Sequence, residues 1–362
     1  MNNTYLSVQL AETLMKRFPH PDNYPYISWC YPQGFLIFGI IRLYEDTKDK
    51  KYYEYVMKYA EHHVGPEGNI YRFKGQSMDD MMAGSVLVWA YHKTGLMKYL
   101  LACNHIYDKF KNYPRNSKGG YLHTVSHTPG EMWVDGVFMG GMFLINYGAY
   151  IAKKEECFTE VIKQLDTVYE CCHKKDGLLY HACSECRDTV WADKITDCSS
   201  DVWSEGLGWY ALIMAETLRL LPDDHLDKSR IAERFNVLLN TLAGLQNKEQ
   251  GLWYQVVDKP DEPDNWMDSS GSAMFVYAFA QAVLMDIGDA ALNKAVAQKG
   301  IEGLCKKAVT NEKGLIDIYD ACDGLCVQNN YRAYIDYPKR VNAKEAVAAV
   351  LWAFEKMEWH VK

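Results

Sequence analysis

Asp135 lies in the run Glu131-Met132-Trp133-Val134-Asp135-Gly136, where a loop gives way to an apolar helix. An Asp at that point can cap the helix, because its carboxylate accepts orphan backbone N–H bonds. It can also act as a general acid, because a carboxyl in a partly apolar pocket holds its proton to higher pH. The same arrangement recurs at Met78-Asp79-Asp80, at Trp203-Ser204-Glu205-Gly206-Leu207-Gly208-Trp209 and at Trp266-Met267-Asp268-Ser269-Ser270-Gly271-Ser272. Four acidic helix mouths, three of them with Trp, bring a shared site level with the reading of unrelated caps. Asp79 and Asp80 are adjacent, so on a helix they point about 100° apart. One can face a site while the other caps. A second carboxylate beside Asp135 could orient water or hold the Asp135 carboxyl protonated. His123 and His181 follow Tyr-Leu and Tyr at matched places, and a neutral imidazole there can bond substrate oxygens or relay protons.

These residues need elements to gather them. Helical periodicity dominates, with segments near 4–17, 33–46, 49–63, 78–94, 96–111, 134–153, 155–173, 202–221, 225–245, 269–287, 289–307 and 341–357. The loops between them repeat: a Gly, a short aromatic strand-like piece, then an acid and a helix. Gly68 to Phe73 precedes Asp79, Gly119 to His123 precedes Asp135, Gly177 to His181 precedes Glu205, and Gly251 to Tyr254 precedes Asp268. A degenerate repeat of roughly 50–75 residues is the length of one supersecondary unit. Six helical hairpins would close into an all-α ring, an (α/α)6 barrel, with the small-residue helices inside and the acids facing one bowl. No linker is visible, so residues 1–362 read as one domain.

Composition narrows the function classes. The 362 residues are 48% hydrophobic and 13% aromatic, with 26 Tyr and 10 Trp. Such rings suit sugar grooves, where a ring face packs on C–H faces. The net charge of −8 without a basic run argues against nucleic acid and anionic membranes as partners. Met1-Asn2-Asn3-Thr4-Tyr5 begins no signal-like pattern, and no apolar run would span a bilayer. The odd count of 11 Cys fits reduced thiols in a cytoplasm. Cys183-Ser184-Glu185-Cys186 lacks a second pair to complete a zinc site, so neither metal nor cofactor is expected. P-loop, dinucleotide and serine-hydrolase motifs are missing.

Trp133-Val134-Asp135-Gly136, Met78-Asp79-Asp80, Trp203-x-Glu-Gly-x-Gly-Trp209 and Ser269-Ser270-Gly271-Ser272-Ala273 together resemble the unsaturated uronyl hydrolases of glycoside hydrolase family 105. The resemblance runs over nearly the whole chain. It implies an (α/α)6 barrel and a small oligosaccharide substrate ending in a C4=C5 unsaturated uronic acid. It implies that Asp135 protonates C4 and then assists water at C5, with Asp79, His123 and His181 as the other catalytic residues. Met78, Trp133, Trp203, Glu205, Trp209 and Trp266 would bind substrate.

Two departures stand out. Glu205 replaces the family's Arg, and Asn342-Ala343-Lys344-Glu345-Ala346 replaces an Asn-Asp-x-His-Gly run. They imply a divergent substrate subsite, with Lys344, Arg115 or Arg187 as sources of positive charge. The alternatives are a non-catalytic sugar-binding protein or a sugar epimerase on the same toroid. A monomer or a homodimer would serve any of these.

Overall fold

The computed structural model describes residues 5–361. Residues 1–4, on which most of the N-terminal reading rests, lie outside them. The described helices are α1 (Leu6–Arg17), α2 (Tyr31–Thr47), α3 (Lys50–His63), α4 (Gly84–Thr94), α5 (Met97–Phe110), α6 (Val134–Tyr150), α7 (Lys154–Cys172), α8 (Ser204–Leu220), α9 (Lys228–Leu245), α10 (Ser269–Leu284), α11 (Ala290–Lys307), the short α12 (Tyr331–Ile335) and α13 (Lys344–Trp359).

The six helices that are apolar all round form the inner ring. α2, α4, α6, α8, α10 and α13 pack each on the next, and α13 returns to α2. Helix α10 is buried without a break from Ser269 to Ala282, which a helix can be only with neighbours on every side. Gly141 shows how tightly the ring is drawn, since a Cβ there would sit 2.9 Å from the Ile213 side chain of α8. The outer helices carry one apolar stripe each and are polar outside. Five of the six hairpins are consecutive: α2–α3, α4–α5, α6–α7, α8–α9 and α10–α11. The sixth joins the two ends of the chain, with α1 outside α13. Glu358 fixes that joint by accepting from Leu6 N (2.7 Å), Ser7 N (3.0 Å) and Ser7 Oγ (2.6 Å). It thereby caps donors that the start of α1 would leave orphaned. The architecture is the expected (α/α)6 barrel.

The repeated loops have a common cause. Gly68, Gly119, Gly177, Gly251 and Gly314 all adopt φ between 69° and 89°, a conformation glycine enters without steric cost. Each turn is closed by a backbone bond around it, such as Asn116 N to Gly120 O at 2.8 Å and Asn247 N to Leu252 O at 3.0 Å. Beyond the turns lie four antiparallel pairs: β1 (Glu131–Trp133) with β2 (Ala182–Ser184), β3 (Trp253–Tyr254) with β4 (Met267–Asp268), β5 (Ala308–Thr310) with β6 (Ile316–Ile318), and β7 (Ala321–Cys322) with β8 (Lys339–Arg340). One expected helix is divided. Residues 78–80 form a separate turn and α4 begins at Gly84, because Ser77 Oγ and Asp80 Oδ2 take up the backbone N–H groups of Asp79 and Gln76. No described helix is long and apolar enough to cross a membrane.

Candidate active site

Strand β1 and the loop around β2 bring the site together. Trp133 pairs with Ala182, and Val134 N donates to His181 O at 3.0 Å. This register carries Asp135, in the first turn of α6, to His181. The carboxylate Oδ2 lies 3.2 Å from His181 Nε2. The two atoms are in ion-pair range, but they are not aligned as a hydrogen bond and have no other partner. On the far side of the ring, His181 Nδ1 meets the Tyr334 hydroxyl at 2.9 Å. That hydroxyl also accepts from Gln328 N at 3.3 Å. In the tautomer that takes the hydroxyl proton at Nδ1, the imidazole N–H is on Nε2, on the Asp135 side.

Trp133 separates the two histidines. His123 stacks on the indole at 4.0 Å and 8°, and His181 meets it edge-on at 5.8 Å. Glu131 Oε2 accepts from the indole N–H at 2.7 Å and holds the ring. Burial pushes His123 down to about 4, so it is neutral at physiological pH. Its Nε2 lies 3.7 Å from Asp79 Oδ2. Burial, then the charges of Asp135 and Asp80, push the Asp79 carboxyl up to about 7. That side chain is one-third exposed and opens on the mouth.

Glu205 lies deeper. It has no exposed surface. Ser270 Oγ donates to its Oε2 at 2.7 Å, while Oε1 is unpartnered. Burial, then Glu345 and Asp268, raise its carboxyl well above the usual range. Asp268 caps α10, accepting from Gly271 N (2.7 Å) and the Ser204 hydroxyl (2.7 Å), and its Oδ2 shares the one Ser270 hydroxyl proton with Glu205, at 2.8 Å. Glu345 accepts from the Tyr31 hydroxyl at 2.5 Å and meets Lys344 Nζ at 2.9 Å.

Asp79, His123, Trp133, Asp135 and His181 therefore come together. Five of the six expected substrate-contacting residues do not line this mouth, the buried Glu205 among them. Met78 is fully buried, and its sulfur sits where a Cβ on Gly140 would be. Trp209 packs inside the barrel against Phe35 (4.8 Å) and Phe138 (4.7 Å). Trp203 is 1% exposed and supports His181 from beneath at 4.6 Å. These three are corrections: Met78, in the turn ahead of α4, packs on α6; Trp209, within α8, fills the barrel core; and Trp203, just before α8, is buried in a separate cluster with Val256, Cys322 and Tyr334. Trp266 lines a separate cavity with Tyr254, Lys307 and Lys339. Tyr334 was not anticipated, since nothing in the spacing of Tyr331-Arg332-Ala333-Tyr334 links it to a histidine 153 positions earlier.

Among the described residues, the one trio placed to share an ion is Asp46, Glu355 and His360. It borders a cavity of about 340 Å³ built from the far ends of the inner helices. Arg42, Arg219 and Lys356 line the same cavity, so the acids there are balanced by cations.

The sequence profile of Glycosyl Hydrolase Family 88 matches residues 6–360. The chain belongs to this family. Its membership of glycoside hydrolase family 105, implied by the motifs, stands with that match. A family 105 glycoside hydrolase from C. acetobutylicum superposes with a TM-score of 0.92 at 26% identity, over 98% of this chain and 99% of the other. The unsaturated rhamnogalacturonyl hydrolase YesR of Bacillus subtilis is 25% identical over 321 residues, 87% of this chain and 85% of that protein. Unsaturated glucuronyl hydrolase from Bacillus sp. GL1 shares the fold, with a TM-score of 0.72 at 15% identity over 97% and 95% of the two chains. The protein is a glycoside hydrolase, and its substrate is an oligosaccharide.

Proposed function

We propose that the enzyme removes a terminal C4=C5 unsaturated uronic acid from an oligosaccharide by hydrating the double bond. Asp135 donates a proton to C4, and the positive charge that develops at C5 is shared with the ring oxygen. Water adds to C5 and returns a proton to the Asp135 carboxylate. The hemiketal so formed opens, and the glycosidic bond breaks to release the neighbouring sugar with its hydroxyl. No nucleophile at C1 is required, so the paired-carboxylate geometry of ordinary glycosidases is not needed.

The observation that carries this reading is the approach of the Asp135 carboxylate to His181 Nε2 at 3.2 Å, at a mouth shared with the raised carboxyl of Asp79. His181 steadies the carboxylate after proton transfer, and neutral His123 is suited to bonding a substrate hydroxyl. The Bacillus subtilis relative, an unsaturated rhamnogalacturonyl hydrolase, supports the substrate class. The binding-only alternative drew on Glu205, but that residue is buried in a hydrogen-bonded network and does not place a charge at the mouth. Its replacement of the family's Arg supports an altered subsite within the same chemistry.

The test is ultraviolet absorbance of lyase-generated unsaturated oligosaccharides, pectic and glycosaminoglycan, mixed with the purified protein. Loss of the conjugated absorbance on at least one substrate is expected. Intact absorbance throughout, with folded protein, contradicts the proposal.

A further inference from the structure

We propose that Asp46, Glu355 and His360 form a site for a divalent first-row transition metal ion, at the far ends of the inner helices. The site is separate from the catalytic mouth, and it does not depend on the function proposed above.

His360 Nε2 lies 3.1 Å from Asp46 Oδ1 and 3.0 Å from Glu355 Oε1. One ligand atom from each of the three residues lies within 4.8 Å of the other two. Nitrogen and oxygen ligands about 2.1 Å from one ion, at right angles to each other, are about 3.0 Å apart. The imidazole is thus spaced from both carboxylates as two ligands of one ion are.

The carboxylates have oxygens to spare. The Glu355 side chain is 1% exposed, and its Oε2 has no partner. Asp46 Oδ2 is also buried and unpartnered. A buried carboxylate oxygen needs a donor or a cation beside it. The charges around the cavity balance as a whole, but their pairing does not reach these two atoms. Arg42 Nη2 lies 2.7 Å from Glu216 Oε1, and Arg219 Nη2 lies 2.7 Å from Glu216 Oε2. Lys93 Nζ lies 2.6 Å from Glu45. Lys356 Nζ meets Glu355 at Oε1, 3.3 Å away, and leaves Oε2.

The helix ends point the same way. Asp46 is in the last turn of α2, Glu355 is near the end of α13, and His360 follows α13 directly. A helix C-terminus carries partial negative charge, so an acid there is unfavourable without a cation. Helix α2 has no basic residue in its last turn. An ion held by these three side chains would answer both helix ends. It would also tie α13 to α2, the contact that closes the inner ring.

One imidazole with two carboxylates suits Mn²⁺, Fe²⁺ or Zn²⁺. It suits Ca²⁺ poorly, since that ion takes about six to eight oxygens. His360 is 34% exposed, so the ion and its remaining water ligands can enter from that side.

The test titrates Mn²⁺ into chelator-treated protein and follows the free ion by electron paramagnetic resonance. Mn²⁺ is the probe because the 11 cysteines would compete for Zn²⁺. One saturable site per chain is expected, and the melting temperature should rise with Mn²⁺ concentration. His360→Ala and Asp46→Asn should each weaken the site at least about 10-fold, since even groups behind the ligands are worth that much. Circular dichroism checks the fold of both. If neither folds, Lys356→Met carries the test: removing a competing cation should tighten the site, and an unchanged affinity there contradicts the proposal. A wild type with no saturable site overturns it, and would mean that the two acids share a proton instead. A site that keeps its affinity in folded His360→Ala and Asp46→Asn also overturns it, because the ion then sits elsewhere.

Discussion

His181 and Asp135 are held by one backbone register: Val134 N donates to His181 O, and the side chains meet 3.2 Å apart. The acid is therefore not placed by its own helix alone. It is positioned by a strand pair that joins two repeats, and its imidazole partner is oriented by Tyr334 from a third segment.

Removing the orienting hydroxyl should weaken catalysis without breaking the fold. Tyr334→Phe loses the hydroxyl's bonds to Gln328 N and to His181; the one to His181, worth ~1 kcal/mol net, should lower kcat about 5-fold with KM little changed. Steady-state kinetics with a thermal melt check this. An unchanged kcat would separate Tyr334 from the reaction.

Asp79 should produce a pH signature. Its carboxyl is raised from 3.8 to about 7, so the folded protein keeps a proton that the unfolded chain releases. Stability from this group is full below the unfolded value and is lost as pH rises through the folded one. Asp79→Asn removes that dependence. The variant's melting temperature should therefore gain on the wild type between pH 4 and pH 8. The kcat/KM profile should also lose an ionisation near 7. A constant difference in melting temperature across that range would contradict the assignment.

The tryptophans divide by role. Trp209→Ala empties a site between Phe35 and Phe138 in the barrel core, and should cost about 3–5 kcal/mol of stability. Trp133→Ala removes the ring between His123 and His181, and should lower kcat/KM with a smaller loss of stability. Denaturant melts and kinetics on the two variants decide this. The reverse ranking would return Trp209 to the binding surface.

Much of this arrangement was legible in the residues. The turn glycines from Gly68 to Gly314 marked the repeat because each needs the same positive φ; of the acids after them, Asp79 and Asp135 lie at the mouth, whereas Glu205 and Asp268 are buried. Asp79, Asp135, His123 and His181 were legible because repeats align equivalent positions. The tryptophans were misplaced for a physical reason: a large ring just before or within an inner helix is equally compatible with the core and the mouth, and only packing decides. Tyr334 depends on the irregular stretch between β6 and α13, where no periodicity guides the chain. The closing of α1 onto α13 through Glu358 was equally hidden, because a ring's seam has no local signature.

The most direct test of the central claim is Asp135→Asn, assayed by the absorbance of an unsaturated uronyl substrate that the wild type consumes. The asparagine is isosteric and cannot deliver a proton to C4. With folding confirmed by circular dichroism, turnover should fall at least ~10²–10⁴-fold, as for loss of a general acid. A folded Asp135→Asn enzyme that consumes the double bond at near wild-type rate would contradict the account.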